Sequence, residues 1–142
     1  MVAVDLEATY EGGRLKVRAG AIIMHESLIL VTDVLGKDFH LLPGGKIKLG
    51  ERSEEACRRE LEEELGVRPD RLELAVVLEN IYEDPGPVFH EIYFVYRADP
   101  SYAAELFQRK LASFWRWIPS ERSDEYQLKP EILTSVLIHN DT

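Results

Sequence analysis

The sequence predicts an α/β fold in which a mixed sheet lies between layers of helix. Three observations lead there: β-rich runs at residues 15–24, 28–34, 72–81 and 88–97, a helical segment at 54–65 set among them, and a second one at 130–139 near the end of the chain. At 142 residues the chain has the length of one compact domain, so residues 1–142 are read as a single unit. Hydrophobic residues make up 45% and charged residues 30%, proportions that exclude a disordered or fibrous protein.

The elements follow in order. Runs 15–24 and 28–34 flank His25-Glu26-Ser27 and read as a hairpin, with a short strand expected at 39–42. Pro43-Gly44-Gly45 should break regular structure, because proline fixes one torsion and glycine admits conformations closed to other residues. A loop then runs to about Arg52. Ser53 is expected to cap the next helix, Glu54 and Glu55 suit its positive end, and Gly66 stops it. Runs 72–81 and 88–97 are strands joined by Glu83-Asp84-Pro85-Gly86-Pro87. Residues 102–111 form a short helix or an irregular segment. Trp115 and Trp117 alternate within a strand at 114–118, so they share one face and pack in the core. The final helix at 130–139 has proline near its first turn.

Charge and cysteine content narrow the function. Acidic residues outnumber basic ones, 26 to 17, and the formal charge is −9, which excludes binding along nucleic acid. A small phosphate-rich substrate is admissible where cations neutralise the acids it must approach. The single cysteine, Cys57, forms no internal disulfide and suits a reducing compartment. Met1-Val2-Ala3-Val4-Asp5-Leu6-Glu7 is not a secretory leader and no apolar run approaches a membrane span, so the chain is read as cytoplasmic, without a membrane partner. A homodimer is left open.

The glutamates of 54–65 carry the chemistry. At about 100° per residue, Glu60, Glu63 and Glu64 fall within an arc of about 100°. Cys57, Leu61 and Leu65, at i, i+4 and i+8, form an apolar stripe beside them that should face the core. Like charges three and four apart cost a helix about 0.2–0.5 kcal/mol per pair, a repulsion that divalent cations would remove. Hard carboxylate oxygens suit magnesium, with manganese as a substitute. A solvated acidic face is the alternative reading of such a helix. Glu62 projects away from the cluster and reads as solvent-facing, and Cys57 as a buried, inert thiol.

The segment from Gly45 to Val67 resembles the signature of the Nudix hydrolase family, G-x5-E-x7-R-E-U-x-E-E-x-G-U with U aliphatic, at every specified position. Gly45 opens it, Glu51 follows, then Arg59-Glu60-Leu61, Glu63-Glu64, Gly66 and Val67. Lys48 and Leu49 depart from a common variant outside the strict signature, which bears on substrate class or loop shape. The resemblance implies a Nudix α/β/α sandwich with a mixed sheet between helices. It implies a metal-dependent hydrolase that cleaves a phosphoanhydride bond in a nucleoside diphosphate linked to another moiety: a nucleoside triphosphate, a dinucleoside polyphosphate or a nucleotide sugar. A catalytically silent nucleotide sensor is the alternative, disfavoured because no acid of the signature box, Gly45 to Val67, is missing. An isomerase of isoprenoid diphosphates on the related fold would need a cysteine arrangement that is absent.

Carried over by position, Glu60, Glu63 and Glu64 resemble the family's metal-binding carboxylates, with the Gly45 carbonyl as a further ligand of Mg2+. Arg59 resembles an arginine that orients a glutamate, and Glu51 binds metal through water or braces the loop. The base varies among such enzymes; Glu63 and Glu60 in the box are candidates. Glu91 is a candidate outside it, since an acid entering an apolar strand needs compensation unless the strand lies at an exposed edge. Arg18, Lys46 and Lys48 are candidate phosphate contacts. Tyr82, sixteen residues beyond Gly66, has a spacing similar to that of a base-stacking tyrosine in family members acting on dinucleoside polyphosphates, with ordinary packing as the alternative. His25, His40, His90 and His139 lack ligand spacing and read as structural or exposed, His90 being the one to test.

Overall fold

The structure is a computed structural model and describes residues 3–139. Ten strands and three helices run in the order β1 (Glu7–Tyr10), β2 (Gly13–Ile22), β3 (Met24–His25), β4 (Leu28–Asp33), β5 (His40–Leu41), β6 (Gly44–Lys46), α1 (Ser53–Leu65), β7 (Leu72–Glu83), β8 (Val88–Ala98), α2 (Pro100–Phe107), β9 (Trp115–Pro119), β10 (Leu128–Lys129) and α3 (Ile132–His139), with a single 3-10 turn at Ser120–Arg122 among the described residues. The α/β class and its layers are as expected, but the strands divide into two mixed sheets. One has the order β1-β2-β8-β7 with β6 also paired to β2; the other has the order β10-β5-β4-β3 with β9 also paired to β4.

The first apolar run is shared between these sheets, which corrects the expected hairpin of 15–24 with 28–34. β2 pairs in parallel with β8, and only Met24 and His25 turn back onto β4, opposite Ile29 and Leu28. The turn is Glu26-Ser27, and both residues have positive φ, 47° and 67°, as a tight two-residue hairpin demands. Ile23, fully buried, stands at the change of sheet.

The alternation of β2 explains the layers. Ala19, Ala21 and Ile23 pack with Ala56, Cys57, Leu61 and Leu65 of α1 and with Tyr102, Ala103 and Leu106 of α2. Ile22 joins the opposite cluster, with Ile29, Val31, Leu78, Tyr93, Val95 and Leu133 and Leu137 of α3. Helices therefore cover both faces, and each fully buried leucine contributes roughly 1.5–3 kcal/mol. Trp115 and Trp117 pack against the α1 cluster, so their shared face is structural.

Several boundaries differ from expectation for local reasons. Gly44 and Gly45 form part of β6 instead of breaking the chain: a Cβ on Gly44 would collide with the Ala19 carbonyl, so its absence lets β6 lie close against β2. Arg52, not Ser53, occupies the cap position of α1, while the Ser53 hydroxyl is hydrogen-bonded to that of Tyr96 at 2.5 Å. Gly66 ends α1 in the left-handed region at φ 80°, as expected, its N–H donating to Glu62. α2 begins at Pro100, before the expected 102–111, because proline suits a first turn. α3 begins two residues after Pro130, whose carbonyl accepts from Leu133 N–H. The side chain of His139 lies outside the described residues. Among those described, no helix is long and apolar enough to cross a membrane.

Candidate functional site

The box closes around Arg59. The apolar stripe of α1 is buried, which turns Arg59, Glu60 and Glu63 toward the loop that precedes the helix. The Arg59 guanidinium donates through Nε and Nη2 to the two oxygens of Glu51, at 2.7 and 3.0 Å, and through Nη2 to the Lys46 carbonyl at 3.1 Å. Its Nη1 reaches Glu60 at 3.0 Å and Glu63 at 3.3 Å. Glu51 also accepts the Lys48 N–H at 3.0 Å, so it braces the loop. Arg59 beside it holds the Glu51 carboxyl below the ordinary value of 4.5, and its pairing with Glu51 and Glu60 raises Arg59 further.

Glu60 lies against Gly45, where a Cβ would come within 2.5 Å of its carboxyl carbon. Glu64 is exposed along much of its side chain, but its carboxyl turns inward to accept the Gly44 N–H at 3.4 Å. Burial of that carboxyl, reinforced by Glu60, raises it to about 7, against the pull of the Gly44 N–H. Two carboxylates that resist being charged together are a donor set a divalent cation would relieve. Among the described residues no three acids, histidines or cysteines are drawn together in a metal-holding set; Arg59 and the backbone hold the carboxylates instead. The oxygen-only chemistry, and a seat at Gly45 that any side chain would fill, fit a hard divalent ion.

Beside the box lies a cleft of about 670 Å³ that includes Gly45, Lys46 and Glu60. Its floor is set by sheet register: Asn80 on β7, Glu91 on β8, Lys16 on β2 and Glu7 on β1 stand side by side, and the next row is Leu78, Tyr93, Arg18 and Lys46. Val34, Phe39, Leu41 and Pro130 supply apolar walls. Of the expected residues, Gly45, Lys46, Glu60, Arg18, Glu91 and Tyr82 meet in this cleft, while Arg59 stands behind Glu60 and the exposed Glu63 and Glu64 lie outside its lining.

Glu91 is 5% exposed on a central strand, which overturns edge exposure as its explanation. Arg18 stands 3.6 Å from it and Asn80 donates to it at 3.1 Å. Lys46 pairs with Glu7 at 2.8 Å. Tyr82 stacks on Phe89, centroids 5.1 Å apart. His90 faces away from the cleft and pairs with Glu79; His40 binds the Tyr126 carbonyl and Asp33, and His25 packs on Phe107. Glu62 is exposed, and burial pushes the Cys57 thiol up to about 12, leaving it inert. Lys16 and Asn80 were not expected here. The alternation Lys16, Arg18 and the pair Asn80, Tyr82 would have pointed to them once the register was known.

A sequence model of the NUDIX domain matches residues 14–135. An 8-oxo-dGTP diphosphatase from Escherichia coli is 38% identical over 77 residues, which is 51% of this chain and 57% of that protein; the chain thus spans little more than half of that relative's length. Among solved structures, a mutator MutT protein from Bacillus halodurans superposes with TM-score 0.66 at 17% identity, covering 87% of this chain and 80% of that one. A C. elegans Ap4A hydrolase gives 0.62 at 19%, covering 87% and 94%. Both likenesses establish the fold.

Proposed function

The chain belongs to the Nudix hydrolase family, and from that premise we propose that it cuts a phosphoanhydride bond in a small nucleoside diphosphate linked to a further group, with the help of a divalent cation. The observation that carries the reading is the seat of Glu60 between Gly45 and Arg59, at the end of a cleft lined by cations. Glu60, Glu63 and Glu64, with the Gly45 carbonyl, would hold magnesium or manganese, which supplies positive charge against the phosphoryl oxygens and makes water a stronger acid.

The chain's own residues do the rest. Arg59 fixes Glu60 and Glu63 through hydrogen bonds rather than touching substrate. Arg18 and Lys46, each shared with a carboxylate, face the cleft as phosphate contacts, and Tyr82 offers an aromatic surface to a base. Hydrolysis forms one bond, from the water oxygen to phosphorus, and breaks one, from that phosphorus to the bridging oxygen, which leaves with the bonding pair. The proton of the water passes to a carboxylate. Glu63 at the rim of the box and Glu91 on the cleft floor are the two bases to compare, and such assistance is worth about 10²–10⁴-fold.

A panel of nucleoside triphosphates, 8-oxo-dGTP, dinucleoside polyphosphates and nucleotide sugars, assayed with magnesium for phosphate, diphosphate and nucleotide products, tests the proposal. The name of the Escherichia coli relative supports including 8-oxo-dGTP. Glu63→Gln is expected to lower kcat by on the order of 10² or more. Of Glu63→Gln and Glu91→Gln, the one that removes the acidic limb of the pH–rate profile marks the base. Unchanged turnover in Glu63→Gln rejects the assigned site, and no turnover of any substrate by the wild-type protein favours a silent nucleotide-binding module.

A further inference from the structure

The cations of the cleft form a sequence leading away from the box. Lys46 belongs to the box, Arg18 is its cross-strand partner, and Lys16 comes next along the same face of β2. Lys16 lies three residues before Ala19, the partner of Gly45, a separation of about 10 Å along the strand. Its ammonium leans still further out, 5.2 Å from the ring of Phe89, whose β2 partner is Arg14. It is therefore aimed away from the two phosphates that the box would hold.

Lys16 differs from its neighbours in one respect. Arg18 has Glu91, Lys46 has Glu7 and Lys129 has Glu131, whereas Lys16 alone of these four cleft cations lacks an ion-pair partner among the described residues. Burial lowers its ammonium below the ordinary value of 10.5; Glu91 opposes this, and Lys46, Arg18 and Arg14 add to it. Lys16 stands in its row between Glu7 and Glu91, but those carboxylates pair with Lys46 and Arg18, which leaves its ammonium as a place for an anion that arrives with the substrate.

We infer that Lys16 is a subsite for a phosphoryl group beyond the metal-held diphosphate, so that the preferred substrates carry three or more phosphates in a row. This rests on the hydrolase reading for its biological meaning, but its test does not depend on turnover. Calorimetry with inorganic tripolyphosphate and inorganic diphosphate, with calcium as the cation, measures the subsite directly. Wild-type protein is expected to bind tripolyphosphate on the order of tenfold more tightly than diphosphate, one charge-assisted contact's worth. Lys16→Met should remove that preference while diphosphate affinity stays within about twofold, and Lys16→Arg should keep most of it. Retained diphosphate binding also shows that Lys16→Met has folded. A wild-type protein with no preference for tripolyphosphate, or a preference that survives Lys16→Met, overturns the inference. Failure of the hydrolase reading would show separately, as wild-type protein that turns over nothing in the substrate panel.

Discussion

Arg59 joins parts of the chain that no local pattern connects: the loop acid Glu51, the Lys46 carbonyl and two acids of its own helix. Lysine has a single ammonium in place of the planar fork, so Arg59→Lys should lose at least two of these contacts, destabilising the protein by about 2 kcal/mol in urea unfolding at pH 7. A change below about 0.5 kcal/mol would show that the fork does not hold the loop. Glu51 adds a pH signature. Its carboxyl lies below 4.5 in the folded protein, so its contribution is complete above pH 4.5 and fades as pH falls through the lowered native value. Glu51→Gln should therefore be less stable at neutral pH and lose stability less steeply below pH 4.5; parallel acid limbs for the two proteins would contradict this. The contacts of Glu51 and Arg59 were implied by the family resemblance of one short segment. Those of Lys16 and Asn80 were not, because their meeting depends on β2 and β7 lying on either side of β8.

At the scale of elements, α1 and β6 share one constraint. The buried stripe of Cys57, Leu61 and Leu65 fixes the rotation of α1, and that rotation presses Glu60 onto the backbone of β6. The two jobs can be separated. Leu61 is fully buried, and Leu61→Ala should cost about 2–5 kcal/mol by thermal or urea unfolding. Gly45→Ala should cost less than about 1 kcal/mol, since the atoms in its way are the end of the Glu60 side chain, yet weaken manganese binding on the order of tenfold as Glu60 is displaced. Unchanged manganese affinity, read by electron paramagnetic resonance, would remove Gly45 and Glu60 from the proposed metal site. Helix α1 was visible in the sequence because its period, acidic first turn and closing glycine agree. The sheet role of Gly44 and Gly45 was hidden: small residues signal a break when read locally and close approach when a neighbouring strand is known. Ser53 misled in the same way, because its hydroxyl has Tyr96 as a partner forty-three positions away.

For the whole molecule, a formal charge of −9 and an acidic box set the terms on which a polyphosphate can enter. Cations in the cleft offset this locally, but Arg18 and Lys46 are already paired with carboxylates, which leaves the repulsion between Glu60 and Glu64 to a mobile ion. An ion bound only by the folded chain must stabilise it by mass action, by about 2.7 kcal/mol at a hundred times its dissociation constant. Screening by salt would act on the same charges without choosing among cations. Magnesium should therefore raise the melting temperature more than sodium chloride of equal ionic strength, and Glu64→Gln should shrink that difference. The sign for the variant without magnesium is equally definite: a neutral side chain removes the Glu60–Glu64 repulsion, so Glu64→Gln should melt no lower than wild type at pH 8. Equal effects of magnesium and sodium would mean that the acids of the box are merely solvated, and the argument for a cation at the heart of the site would fail with them.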